Sequence, residues 1–515
     1  MIRRPWWRDA VCYQVYVRSF ADADGDGLGD LEGIRQRLPY LRTLGVDAVW
    51  LTPFCTSPQN DGGYDVADYR QVDPRYGTLA SFDAMLEAAH SLGLKVIVDL
   101  VPNHTSSQHP WFQQALVAAP GSQARRRYLF ANGRGRAGAT PPNNWRSMFG
   151  GPAWSRADDG QWYLHLFDSS QPDLNWRNEE VGDEFESILR FWLDRGVDGF
   201  RIDVAHGLFK EQGLPDGRFN RHRGPFWNQP EVHDVYRRWH RVLAEYPGDR
   251  MAIGEAWVDT AEDMARYVRP DELQQVFNFA WLKAPWSAAA FRRVIEDTYD
   301  AVDRAGASPT WVLSNHDVVR ASTRYGGGAL GLARAKAATL AMLALSGSAY
   351  LYQGDELGLP QADVPARARQ DPMWLRGGGI GRDGCRLPMP WCGSRRPYGF
   401  SPDGTAESWL PQPRTWGRLS VAAQERDAGS TLHFFRRALA VRRDAIGDLA
   451  PEVTVTTLSP GVLALEREPG FVCVLNCGKG QRRLPAYDDL LLASGEEAAV
   501  RSGVLPANTA AWFQT

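Results

Sequence analysis

Three stretches of the chain repeat one arrangement of apolar and polar positions: an amphipathic stripe at helical spacing, a glycine, then a short apolar run. The first stripe is Ile34, Leu38, Leu41 and Leu44, stopped at Gly45 and followed by Val46-Asp47-Ala48-Val49-Trp50-Leu51. The second is Phe82, Met85, Leu86 and Ala89, stopped at Gly93 and followed by Val96-Ile97-Val98-Asp99-Leu100-Val101. The third is Val181, Phe185, Ile188, Leu189 and Trp192, broken at Gly196 and followed by Gly199-Phe200-Arg201-Ile202-Asp203. Helical spacing gives each helix one apolar face, glycine serves as the left-handed cap, and near-continuous apolar runs suit parallel strands buried on both faces. Tyr13–Val17, Met251–Glu255, Val276–Phe279, Trp311–Ser314 and Ala349–Tyr352 read as further strands. Eight strands, most of them separated by helical pattern, predict a (β/α)8 barrel rather than an open doubly wound sheet.

The alternation is interrupted twice. Residues 103–171 carry glycine, Pro141-Pro142 and scattered tryptophans without a long helical stripe, and are too long for a βα loop, so a small inserted domain is expected after the third strand. A long excursion at about 357–413 follows the eighth strand, and from about 447 the pattern turns to short alternating strands. The expected organisation is a barrel over 1–102 and 172–446, an inserted domain over 103–171 and an antiparallel β domain over 447–515.

Composition narrows the class. Of 515 residues, 43% are hydrophobic and 23% charged, which is globular, and 58 basic against 61 acidic residues leave a net charge of −3. That balance lacks the basic excess that favours nucleic acid. The six cysteines are too sparse for a disulfide scaffold and read as buried reduced thiols. The first residues, Met1 to Asp9, have no apolar stretch behind them. The uncharged run from Ala337 reads as a buried helix, a turn at Ser346-Gly347 and a strand, so no membrane span is expected. A soluble cytoplasmic protein is the expectation.

A barrel enzyme places its active site at the C-terminal ends of the strands. Those ends carry Asp99 and Asn103-His104, Arg201-Ile202-Asp203, Gly254-Glu255, and Asn315-His316-Asp317. Several charges crowded into one barrel mouth repel one another unless function, metal or ion pairing offsets the repulsion. Arg201, two residues before Asp203 on a strand, faces the same side and is expected to keep that aspartate ionised. A carboxylate-based hydrolase follows from these groups.

The strings Asp99-Leu100-Val101-Pro102-Asn103-His104, Gly199-Phe200-Arg201-Ile202-Asp203, Gly254-Glu255-Ala256-Trp257 and Ser314-Asn315-His316-Asp317 resemble the four signature regions of glycoside hydrolase family 13. Gln171-Pro172-Asp173-Leu174-Asn175-Trp176 and the segment from Arg382 to Trp391 resemble markers of its α-glucosidase and oligo-1,6-glucosidase branch. The resemblance implies a retaining mechanism with Asp203 as nucleophile, Glu255 as acid and base, and Asp317 as the third carboxylate, stabilising the transition state. It also implies that His104, Arg201 and His316 meet the first sugar, and that Asp61 and Tyr64 line the deepest subsite with Arg386 meeting Asp61. Such a grip would block longer chains and make the enzyme exo-acting.

The loop Asp22-Ala23-Asp24-Gly25-Asp26-Gly27-Leu28-Gly29-Asp30 alternates carboxylates and glycines, which suits a hard oxygen-loving cation. Its twelfth position is Gly33, where an EF-hand would need glutamate; the resemblance implies a structural Ca²⁺ or Mg²⁺ on Asp22, Asp24, Asp26, the Leu28 carbonyl and Asp30. A metal-free acidic turn is the alternative. No organic cofactor is expected. The implied activity is release of glucose from the non-reducing end of short α-glucosides, α-1,4 ahead of α-1,6. The alternatives are an oligo-1,6-glucosidase, a transglucosidase or isomerase of the trehalose synthase or sucrose isomerase type, and a non-catalytic barrel scaffold. The expected partner is a small oligosaccharide; oligomeric state is left open.

Overall fold

The computed structural model describes residues 4–218, 223–402, 406–447 and 449–514. Eight parallel strands form the central sheet: β1 (Val11–Val15), β2 (Ala48–Leu51), β3 (Lys95–Leu100), β4 (Gly199–Ile202), β5 (Met251–Gly254), β6 (Gln275–Val276), β7 (Thr310–Val312) and β8 (Ser348–Tyr352). Neighbours run β6-β5-β4-β3-β2-β1-β8-β7. A parallel bridge from Asn278 to Trp311 brings the two edges together, so the barrel closes.

The three patterned helices are α1 (Leu31–Leu44), α2 (Leu79–Ser91) and α3 (Glu179–Asp194), each burying its predicted stripe. Asp30 caps α1 by accepting from the Gly33 N–H at 2.6 Å, and Gly45 ends it at φ 102°, a conformation glycine adopts without steric cost. Further helices are α4 (Val232–Ala244), α5 (Ala288–Ala305) and α6 (Gly328–Ala344). The strands split their side chains between two cores. Val11, Tyr13 and Val15 face the helices, whereas Cys12, Ala48, Trp50, Ile97, Ile253 and Val312 fill the barrel interior. Burial on both faces is why the strand sequences read as apolar runs.

The predicted strand Val276–Phe279 is shorter. Asn278 accepts from the Trp281 N–H at 3.0 Å and starts a helix at Phe279, so capping chemistry ends the strand. Between β3 and β4 the chain forms a small antiparallel sheet of Phe130–Asn132, Gln161–Leu164 and Trp154–Arg156. After the barrel come β9 (Thr454–Ser459), β10 (Val462–Arg467), β11 (Phe471–Asn476), β12 (Asp489–Ala493) and β13 (Thr509–Gln514), an antiparallel sheet. It sits on α6, where the Trp512 indole donates to the Leu340 carbonyl at 3.1 Å. Four cysteines are buried thiols, but Cys392 is exposed, and Cys477, just past the strand Phe471–Asn476, is half-buried against the core. Among the described residues no helix is long and apolar enough to cross a membrane. Residues 1–3, part of the N-terminal stretch considered above, lie outside the described residues.

Candidate active site

The inward side of each strand is apolar at the bottom and charged at the top. Ile97 gives way to Asp99 on β3, and Ile253 to Glu255 just beyond β5, each two residues later and so on the same face. The register sets Asp99 beside Arg201 and Arg201 beside Ile253. Arg201 is 2% exposed and holds three carboxylates at once: Asp99 at 3.0 Å, Asp203 at 2.6 Å and Glu255 at 2.7 Å. Glu255 also accepts from the Val204 N–H at 3.1 Å and the Trp257 indole at 3.0 Å. Asp99 accepts from the Trp50 indole at 3.1 Å and the Tyr64 hydroxyl at 3.0 Å.

Three buried carboxylates share this one guanidinium. Burial pushes Asp203 well up, Arg201 opposes the shift, and the charges of Glu255 and Asp99 add to it. Asp99 is pushed to about 6, again mainly by burial. Arg201 faces Asp203 as expected and opposes this shift, but its charge is divided among three carboxylates. Asp203 and Glu255 are held side by side by their shared guanidinium.

Val204, which follows Asp203, is buried and has φ 46°, a region where a β-branched side chain is strained. This left-handed turn is the link through which its N–H meets Glu255.

Asp61 and Tyr64 come from a tight turn after β2. Gly63 stands at φ 101° where a Cβ would lie 2.7 Å from the Pro53 carbonyl oxygen, so glycine permits the close approach. Asp61 is 4% exposed, but its arginine partner is Arg382, at 2.7 Å, and not Arg386. Arg382 also reaches Asp317 at 3.0 Å and Asp371 at 2.7 Å. Arg386 instead meets Asp317 at 2.8 Å. Both arginines come from one short turn, and the four-residue step between them sends one fork to Asp61 and the other to Asp317, with Asp371 at 3.9 Å.

Burial raises Asp317, but His316, Arg382 and Arg386 outweigh it and hold the carboxyl below its ordinary range. His316 is pushed well down by burial, stacks on the Tyr64 ring at 5.3 Å, and meets the Gln14 amide at 2.6 Å through Nδ1. His104 is lowered to about 4, again by burial; its Nε2 donates to the Tyr64 carbonyl at 3.0 Å. Both imidazoles are neutral hydrogen-bonding groups at neutral pH.

Asp61, Tyr64, His104, Asp203, Glu255, Asp317 and Arg382 line a pocket of about 340 Å³, with Val204 and Trp257 among its other walls. The alpha amylase catalytic-domain family matches residues 14–448, most of the chain. The protein belongs to the α-amylase family. Within it the chain falls on the α-glucosidase and oligo-1,6-glucosidase branch, with a glycoside hydrolase catalytic domain. A probable alpha-glucosidase of Rhizobium meliloti is 40% identical over 467 residues, covering 85% of this chain and 83% of the relative. The solved alpha-glucosyl transfer enzyme XgtA is 37% identical, with TM-score 0.88, covering 99% of this chain and 100% of that one. Trehalulose synthase MutB of Pseudomonas mesoacidophila is 29% identical, with TM-score 0.89 and the same coverages.

Reasoning from the family strings overlooked three contributors that lie inside those strings. Arg382 opens the segment from which only Arg386 was chosen, Trp257 ends the Glu255 string, and the Gln171 amide donates to Asp61 at 3.1 Å. Chain spacing does not reveal which of two arginines reaches which carboxylate.

In the acidic loop, carboxylate oxygens of Asp22, Asp24 and Asp30 lie within 4.8 Å of one another. This oxygen-only set fits a divalent cation. Asp26 is outside this set and accepts from the Leu28 N–H at 2.7 Å. Burial raises Asp30, with the charges of Asp24 and Asp22 adding to the shift, a repulsion that a cation would relieve.

Proposed function

We propose that the protein is a retaining, exo-acting enzyme that takes a terminal α-glucosyl unit from short α-glucosides and passes it to water or to a second hydroxyl compound. The observation carrying this reading is the Arg201 bridge that holds Asp203 and Glu255 side by side under one pocket. A short separation suits a nucleophile and an acid working on the same bond, with no water between them. In the proposed reaction the Asp203 carboxylate attacks the anomeric carbon while Glu255 gives its proton to the departing oxygen. Positive charge developing at the sugar favours the ionised form of Asp203. Glu255 next takes a proton from the incoming hydroxyl. Asp317, held ionised between Arg382 and Arg386, stabilises the transition-state charge.

The Asp61–Arg382 pair, with His104, suits the hydroxyls of a terminal glucose and supports removal from chain ends. Likeness to an alpha-glucosyl transfer enzyme supports transfer beside hydrolysis and shifts the emphasis away from hydrolysis alone. Among donors, α-1,4 links are taken ahead of α-1,6: stiff Val204 favours α-1,6, but small Ala205 relieves its steric effect and His206 presents a polar group to the leaving sugar. Asp22, Asp24 and Asp30 would hold a structural Ca²⁺ or Mg²⁺ bracing the start of α1, outside the chemistry.

Product analysis with maltose, isomaltose, sucrose and trehalose tests the reading. Glucose together with longer α-glucosides from maltose is expected. Isomerisation of sucrose without glucose from maltose would overturn it, as would internal cleavage of a long end-blocked α-glucan. Val204→Thr should move the maltose-to-isomaltose ratio of kcat/KM; an unmoved ratio removes Val204 from the linkage argument.

A further inference from the structure

A second cavity, of about 150 Å³, opens at the other end of the barrel. Its walls include Asp9 and Val11 at the start of β1, Asp47 just before β2, and Arg442, Arg443 and Arg467. The carboxylates of the active site stand at the opposite, C-terminal ends of the same parallel strands.

Two elements bring the three arginines together. Arg442 and Arg443 open a π-turn, Arg442–Ile446, that follows helix α7 (Thr431–Val441), while Arg467 ends β10 of the C-terminal sheet. Such widened turns are rare and recur at functional sites. Arg442 is 6% exposed and Arg467 5%. Arg442 donates to the carbonyls of Leu343, Leu345, Gly347 and Asp9, and Arg467 to those of Ala344, Leu449 and Ala450. Among the described residues, every hydrogen-bond partner of these two buried cations is therefore a neutral backbone group.

The carbonyls of Leu343, Ala344 and Leu345 belong to the end of α6, whose dipole offers about half a negative charge against two guanidiniums. The two carboxylates of the cavity are engaged elsewhere. Asp9 accepts from the Gly347 N–H at 3.2 Å and lies 3.9 Å from Arg4, and Asp47 accepts from the Val11 N–H at 2.8 Å. Burial pushes Arg442 down to about 10; Asp9 opposes the fall and Arg467 adds to it. Arg443, exposed at the rim, donates once among the described residues, to the Gly45 carbonyl at 2.6 Å. At about 30 Å³ per water the cavity has room for about five, enough for one tetrahedral oxyanion and part of its hydration. Guanidinium forks match the oxygens of such an ion.

We propose that this cavity binds a small oxyanion, inorganic phosphate in particular, among Arg442, Arg443 and Arg467. The ion offsets the excess positive charge and ties β10 and the end of α7 to the base of the barrel. It braces the C-terminal sheet and takes no part in the glucosyl chemistry.

Titration calorimetry of inorganic phosphate into the full chain tests this. One ion per chain is expected, with a Kd of about 1 mM or tighter, the affinity that two charge-assisted hydrogen bonds supply. Arg443→Gln and Arg467→Gln should each weaken binding at least about tenfold, the loss of one such bond. Arg443→Gln alters an exposed side chain, so it keeps the test sound if Arg467→Gln fails to fold. The midpoint of thermal unfolding should rise with phosphate and not with chloride at the same ionic strength, and KM for p-nitrophenyl α-glucoside should stay unchanged in saturating phosphate. Weaker binding by the wild type, an equal rise with chloride, or an affinity unmoved in both variants overturns the inference. Competitive inhibition with a constant equal to the calorimetric Kd overturns it too, because the ion then sits in the barrel mouth. None of these outcomes touches the glucosidase reading.

Discussion

Replacing Arg382 with alanine separates two accounts of how the terminal sugar is held. Its guanidinium touches Asp61 at 2.7 Å, Asp317 at 3.0 Å and Asp371 at 2.7 Å. After its loss Asp317 keeps Arg386 at 2.8 Å, and Asp371 keeps the Met373 N–H at 2.8 Å. Asp61 keeps only its uncharged Gln171 partner at 3.1 Å together with the more distant field of Arg386. A buried charge stripped of its partner costs about 3–5 kcal/mol, which sets the scale of the expected stability loss in urea unfolding. For activity, one or two charge-assisted hydrogen bonds to glucose hydroxyls at about 1.5–3 kcal/mol each predict a fall in kcat/KM of roughly 10- to several-hundred-fold.

Burial already raises Asp61 above its ordinary range, and Arg382 is the largest opposing influence. The variant therefore raises it further, so part of the lost activity should return as pH rises and Asp61 ionises. Arg382→Lys, a point charge that cannot bridge three carboxylates, should recover only part of the loss. The assay is kcat/KM for p-nitrophenyl α-glucoside between about pH 5.5 and 8.5, a range spanning the ionisation of raised carboxyls. An Arg382→Ala enzyme within about twofold of wild type across that range would refute the assigned grip.

Asp203→Asn, nearly isosteric, should keep the fold by circular dichroism and lose at least about a thousandfold in kcat, since a nucleophile lowers the barrier by several kcal/mol. Retention of more activity than that removes Asp203 as nucleophile. Asp99, raised from 3.8 to about 6 in the fold, contributes stability below its ordinary value that is lost as pH rises through about 6. Unfolding free energies of wild type and Asp99→Asn should therefore diverge against the wild type by about 2 kcal/mol between about pH 4.5 and 7, whereas a constant difference contradicts the shift. Saturating Ca²⁺ at about a hundred times its Kd should add about 2.7 kcal/mol of stability, abolished by chelation and reduced in Asp24→Asn; an unchanged Tm in both proteins dismisses the site.

The barrel was legible because its strands are buried on both faces and its helices on one, so period and glycine position mark both directly. Strand ends were less so: a single asparagine, Asn278, turned the sixth strand into a helix earlier than its apolar run indicated. The carboxylates of the site could be read from strand ends, since two-residue periodicity carries Asp99 and Glu255 inward above Ile97 and Ile253. Side-chain pairing was not legible. Arg382 and Arg386 lie four residues apart in one turn, and which fork reaches Asp61 depends on the path of a long excursion that periodicity does not constrain. The protonation of Asp203 also depends on how many carboxylates share Arg201, a three-dimensional count.

The central claim is that a glucosyl unit passes through Asp203 and leaves with its configuration retained. Proton NMR of the first glucose released from p-nitrophenyl α-glucoside, recorded before mutarotation, tests it most directly. The account predicts the α-anomer appearing first, with the β-anomer growing in only at the mutarotation rate. β-Glucose as the initial product would mean direct displacement by water, and would contradict a nucleophilic role for Asp203 and the paired geometry built on Arg201.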